Sequence, residues 1–228
     1  HAYQFYPAVM HSHARFTYDE VWAILQNTRG PEAAKRGARV ADLLHLHDLY
    51  KVLAAARKER GAMEFETVET QIISNDNGRI ERIEPRTRND AHKLIEEAML
   101  AANVCAADFI EANHQMGLYR VHEGPTPEKA EILREYLKAL GISARVPARP
   151  SPKDLAAIAA QVEGRPDAQQ IQTMLLRSMQ QAIYTPDNAG HFGLAFEAYT
   201  HFTSPIRRYP DLLVHRVIKS ILQNKVYE

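Results

Sequence analysis

The densest group of chemically capable residues is His201-Phe-Thr-Ser-Pro-Ile-Arg-Arg-Tyr-Pro-Asp211. Two adjacent arginines and two hydroxyls precede a proline that cannot lie deep inside a helix without breaking it. The spacing predicts Pro210 at the first helical position, with Ser204 to Arg208 forming the turn before it. Asp211 then falls in the first turn, where its charge suits the helix dipole. Such a place suits a phosphate, because it offers free backbone N–H groups and forked guanidinium donors. The same residues also fit a capped helix with Arg208 paired to Asp211, and the spacing leaves both readings open.

A second polar group lies on the helix expected from Asn89 to about Asn113. At about 100° per residue, Asn89, His92, Glu96 and Asn103 fall along one ridge beside the apolar stripe. Groups there reach a ligand or satisfy neighbouring backbone. Glu97 falls away from that ridge and reads as solvated. Two His-x-His pairs occur. On a strand, His11 and His13 share a face and could grip one ion, although no third ligand is near. On a helix, His45 and His47 diverge by about 200°. Phe65, between two glutamates, is either core or an aromatic that stacks on a base. Cys105 lies on the apolar stripe and reads as inert.

The aspartates carry the most telling absence. Metal-assisted phosphodiester cleavage clusters carboxylates around two ions about 4 Å apart. The ten aspartates here are scattered, with no Asp-Asp and no Asp-x-Asp. Phosphate-binding Walker loops, dinucleotide-binding glycines, His-Glu-x-x-His, Gly-x-Ser-x-Gly and paired zinc cysteines are absent as well.

The elements that must position these groups are read from periodicity. Tyr3 to Phe16, rich in aromatic and β-branched residues, reads as strand. Thr17-Tyr-Asp-Glu20 is a capping box, predicting a helix over Val21–Gln26. Glu32 to Arg60 reads as one long helix stopped by Gly61. Glu64–Ser74 and Arg79–Glu84 read as strands joined by an Asn75-Asp-Asn-Gly78 turn. After the Asn89 helix come a short strand over 118–122 and a helix from Thr126-Pro127 to Leu140. Helices follow over about 153–162 and 167–181, then a strand over Phe192–His201 and a closing helix from Pro210. The class is α+β, helix-rich, with short antiparallel strands. The proline-rich stretch 147–152 is too weak a signal to divide residues 1–228 into two domains.

Composition limits the function classes. Of 228 residues, 28 are Lys or Arg and 28 Asp or Glu, so any basic surface must be local. One cysteine excludes a disulfide framework within the chain. No apolar run approaches the ~18 residues that span a bilayer. The start, His-Ala-Tyr-Gln, and the end directly after a helical pattern suit trimmed ends or a piece of a longer protein.

The run His191-Phe-Gly-Leu-Ala-Phe-Glu-Ala-Tyr-Thr-His-Phe-Thr-Ser-Pro-Ile-Arg-Arg-Tyr-Pro-Asp-Leu-Leu-Val-His-Arg216 closely resembles the signature of the ribonuclease II/ribonuclease R family. Asn89 to Asn103 is similar to that family's central helix, and Phe5 to Tyr18 also fits. The Arg-Arg-Tyr-Pro version and His-Ser-His-Ala-Arg stretch are more like the ribonuclease R branch. The resemblance covers essentially the whole chain. It implies part of an RNB-type catalytic domain in a processive 3′→5′ exoribonuclease that uses Mg²⁺ and releases nucleoside 5′-monophosphates. The implied substrate is the 3′ end of single-stranded RNA, in the cytoplasm, with no membrane and no obligate protein partner.

Carried over, Arg207 matches the arginine at the scissile phosphate, Phe65 an aromatic against the terminal bases, and Glu96 a carboxylate on the RNA sugar. Ser204, Pro205 and Tyr209 belong to the arginine loop. The family's metal-binding aspartates have no counterpart in this sequence, so the chain is expected to be inactive alone. The alternative is a non-catalytic RNA-binding module.

Overall fold

The structure, a computed structural model, describes residues 2–63, 69–86 and 88–227. Its helices are α1 (Tyr18–Gln26), α2 (Pro31–Lys35), α3 (Gly37–Arg60), α4 (Asp90–Ala112), α5 (Pro127–Ala139), α6 (Pro152–Gln161), α7 (Ala168–Ser178) and α8 (Tyr209–Leu222). The strands are β1 (Glu69–Ser74), β2 (Ile80–Arg86), β3 (Tyr119–Val121) and β4 (Ile183–Thr185), paired β1–β2 and β3–β4, both antiparallel. The class is the expected α+β. Two compact units result, one of His1–Met10, Ala55–Glu64 and Met99–Glu228, the other of His11–Ala54 and Phe65–Ala98.

In the smaller unit the Thr17 hydroxyl accepts the Glu20 amide while the Glu20 carboxylate accepts the Thr17 amide, so α1 starts at its capping box. Ile24, Ala33 and Leu43 form its core, flanked by Phe16, Val21 and Val40. The helix expected over 32–60 is interrupted: α2 ends at Lys35 and α3 begins at Gly37, because Arg36 leaves helical geometry. Its guanidinium bonds Glu20 and the Arg15 carbonyl and lies over the Phe16 ring. The β1–β2 hairpin turns where expected, with Gly78 at φ 72°, a region that costs glycine little. The Asn75 side chain accepts the amides of Asn77 and Arg79.

In the larger unit the C-terminal half of α4 packs on α8 through Ala106, Ile110, Val214, Val217 and Ile218. The sequence reading of Tyr3–Phe16 as a strand is corrected: these residues pair with no strand. A strand needs a partner ladder, and aromatic content alone does not supply one. Phe5 instead seats between Phe109 and Phe202, with ring centroids at 5.0 and 5.5 Å, and the Tyr3 hydroxyl donates to Asp108.

Phe192–His201 is likewise no strand. It opens as a 3₁₀ turn over Phe192–Leu194 capped by the His191 ring, and Ala195 then enters the left-handed region. The strand that pairs with β3 is Ile183–Thr185, where none was expected. Helix α7 stops at Ser178, three residues short of the expected end.

Candidate functional site

The arginine turn is built from the start of α8. Arg208 is its N-cap residue and Tyr209 its first helical residue, so Pro210 stands second, one place later than expected. The Ser204 carbonyl accepts the amides of Arg207 (3.2 Å) and Arg208 (3.0 Å), closing the turn. Asp211 folds back onto it. Its Oδ2 accepts the Ser204 amide and Arg208 Nη2, each at 2.8 Å, and the residue has no solvent exposure. The two adjacent arginines therefore differ. Arg208 turns inward as the partner of Asp211. Arg207 is exposed and makes no ion pair or side-chain hydrogen bond among the described residues.

The loop before the turn is held from the other side by α4. Asn103 is 3% exposed. Its Oδ1 accepts the amides of Phe202 (2.9 Å) and Thr203 (3.3 Å), and its Nδ2 donates to the Tyr199 hydroxyl (2.9 Å). His215 of α8 stacks on the Phe202 ring and donates to its carbonyl at 2.9 Å. Three successive amides, 202 to 204, are thus consumed by two side chains from two helices. Those three amides are not free for a phosphate, whereas the amides of Ile206, Tyr209 and Asp211 have no acceptor among the described residues, so they and the exposed Arg207 guanidinium are the donors left at the turn.

Three histidines and an arginine lie in the same unit. The rings of His122 and His191 stand 4.9 Å apart, and Tyr199 follows His191 at 5.1 Å. His122 Nδ1 accepts the Gly193 amide and His191 Nδ1 the Leu194 amide, so each ring, when neutral, carries its proton on Nε2. Burial, reinforced by His122, pushes His191 down to about 3. Burial, reinforced by the Arg208 charge, pushes His201 down to about 4. His201 Nδ1 shares a 2.6 Å hydrogen bond with the Tyr184 hydroxyl, and Arg120 lies over the Tyr184 ring at 4.6 Å. A cleft of about 700 Å³ is lined by Arg60, His122, Lys153, His191, Phe192 and Phe196 among others, and by no residue of Ser204–Asp211.

Ser204 and Pro205 are half-buried in the turn, and Tyr209 stands exposed beside Arg207. Glu96 belongs to the smaller unit, where it is ion-paired with Arg88. Phe65 lies outside the described residues. Glu97, expected on a solvated face, is 6% exposed, because the buried side of α4 is wider than the apolar letters alone indicate. Burial and the Asp108 charge push the Cys105 thiol up, away from reactivity. No group of three or more His, Cys, Asp or Glu among the described residues is placed to hold a metal ion. The one buried carboxylate at the turn, Asp211, holds Ser204 and Arg208 through Oδ2, while its buried Oδ1 has no hydrogen-bond partner among the described residues. One carboxylate already paired with an arginine is no ligand set for Mg²⁺, whose ligands the resemblance places outside this sequence.

The clamp of Asn103 and Asp211 was not legible as a clamp. Its only signal was an amide on the buried side of an apolar helix and an acid in a first turn.

The sequence profile of the RNB domain matches residues 1–224. The chain is 54% identical over 222 residues to ribonuclease R of Vibrio cholerae, covering 96% of this chain and 27% of that protein. It is 52% identical over 220 residues to ribonuclease R of Escherichia coli K12, again covering 96% of this chain and 27% of the relative. The chain thus spans about a quarter of the length of these curated relatives. Among solved structures it is similar to Mycoplasma genitalium RNase R in complex with ribose methylated single-stranded RNA, with TM-score 0.79 and 28% identity, over 91% of this chain and 32% of that one.

Proposed function

This chain belongs to the RNB domain family, and from that premise we propose that its 228 residues are part of the catalytic domain of a 3′→5′ exoribonuclease. The whole protein hydrolyses RNA from its single-stranded 3′ end in the cytoplasm and releases nucleoside 5′-monophosphates. In that reaction water adds to phosphorus, the bond to the 3′ oxygen of the penultimate nucleotide breaks, and that oxygen leaves as a hydroxyl. Arg207 holds the scissile phosphate and offsets the charge that builds on its oxygens.

The observation that carries this reading is the division of labour between Arg207 and Arg208. A guanidinium kept exposed on a braced turn, with no ion pair among the described residues, is placed to receive an anion, and the forked donor geometry suits phosphate. Ser204 and Pro205 shape the turn. Tyr209, Phe65 and Glu96 contact the RNA.

Mg²⁺ serves the whole enzyme, held by residues other than those described here. These 228 residues alone do not turn over RNA.

The deciding experiment is Arg207→Ala in the full-length protein. Turnover of a single-stranded oligoribonucleotide falls about 10²–10³-fold, as for loss of a charge-stabilising donor. Unchanged turnover overturns the assignment. A second reading, a non-catalytic RNA-binding module, is favoured by the lack of a metal-holding cluster among the described residues. The isolated chain with RNA and Mg²⁺ tests it: release of 5′-monophosphates refutes both the module and the inactivity of the chain.

A further inference from the structure

We propose that Asn103 is a positioning residue for Arg207, acting through the backbone of Phe202 to Ser204 and resting on the reading of Arg207 as the phosphate-holding residue. The path from Asn103 to Arg207 is made of hydrogen bonds. Asn103 Oδ1 accepts the amides of Phe202 and Thr203, and Asp211 Oδ2 accepts the next amide, Ser204. Ser204 in turn closes the loop by accepting Arg207 N and Arg208 N. The geometry also fixes which end of the carboxamide does what. Two amides demand the oxygen, and the Tyr199 hydroxyl takes the nitrogen.

The consequence for chemistry is preorganisation. A guanidinium on a floppy loop loses backbone freedom when it meets a phosphate, whereas here that ordering is already complete before RNA arrives. Misplacement of a transition-state donor by about 1 Å can cost about 10²-fold in rate, although nothing at the reacting atoms has changed. Asn103 reaches the amides from α4 and Asp211 from α8, so the turn is pinned between two helices that share the Ala106, Ile110, Val214, Val217 and Ile218 core.

The test is a double-substitution cycle in the full-length protein, with Asn103→Leu, Arg207→Ala and both together. The readout is single-turnover 5′-monophosphate release from a fluorescent single-stranded oligoribonucleotide. Asn103→Leu alone lowers the rate at saturating RNA about 10–100-fold with the half-saturating RNA concentration changed less than about threefold. In the Arg207→Ala background the same substitution costs less than about threefold more. Asn103→Asp, which keeps an oxygen to accept both amides, retains more of the rate than Asn103→Leu, and Asn103→Ala carries the cycle if the leucine variant does not fold.

A fully additive effect, as partial unfolding would give, overturns the inference while leaving Arg207 in its role. An Arg207→Ala protein with normal turnover overturns both.

Discussion

Asp211 Oδ2 accepts the backbone amide of Ser204, seven residues earlier, at 2.8 Å, and the same oxygen binds Arg208 Nη2 at 2.8 Å. One carboxylate thus ties the first turn of α8 to the loop that enters it. It also decides which of two identical neighbours faces inward.

Loss of that carboxylate should be felt by the fold. Asp211→Ala leaves Arg208, whose side chain is only 22% exposed, without its partner. Breaking a buried pair from one side costs about 3 kcal/mol. Exposed Arg207→Ala costs no more than about 0.5 kcal/mol. Urea unfolding of the two variants beside the parent measures the difference, and equal losses would contradict the inward and outward assignment.

RNA binding should register Arg207 as one phosphate contact. Affinity for a short single strand, followed by fluorescence anisotropy across a salt series, declines with log salt. In Arg207→Ala the slope should be shallower by about one. An unchanged slope would mean that Arg207 neutralises no phosphate.

Stability should fall on mild acidification. His191 and His201 are held at about 3 and about 4 by burial, against an ordinary value near 6.5 when unfolded. Between those values the unfolded chain binds protons that the folded chain refuses. Their contribution is therefore present above about pH 6.5 and is lost as pH falls towards 4 for His201 and 3 for His191. Urea midpoints at pH 7, 5.5 and 4.5 should decrease in that order. His191→Gln should flatten the trend, and an equally steep decline in that variant would assign the effect to other groups.

The loop before the 3₁₀ turn should reject a side chain at Gly190. Its φ is 73°, and an added Cβ would stand 2.9 Å from the Phe196 carbonyl oxygen. Left-handed geometry alone costs about 1–2 kcal/mol for an L residue, and backbone cannot yield as a flexible side chain does. Gly190→Ala should lower stability by at least about 2 kcal/mol in thermal or urea unfolding.

What could be read from the sequence divides along the reach of the forces involved. The capping box of Thr17 and Glu20, the Asn75–Gly78 turn and Thr126-Pro127 at the head of α5 are settled within four residues, and each formed where expected. Tyr3–Phe16 and Phe192–His201 carry strand-forming residues, yet strands are made by continuous partner ladders; the first segment forms none and the second has only an isolated bridge of Phe196 to His191 and a single bond from Arg120 N to Tyr199 O. The turn itself was legible as a place for an anion, together with the rival pairing of Arg208 with Asp211. The structure contains that pairing and still leaves Arg207 outward. Asn103 stood out only as a polar residue on a buried helix, because its acceptor role depends on residues about a hundred positions later.

That separation governs when the site comes into being. Asn103 bonds Phe202 across 99 residues, and Phe5 meets the same ring from the far end of the chain. Closing so long a loop costs entropy that is repaid only when α8 settles on α4. A chain still emerging from the ribosome has made Asn103 long before it makes Arg207. The arginine turn takes shape only once both partners are made and joined, so an incompletely folded chain carries the guanidinium without the geometry that aims it.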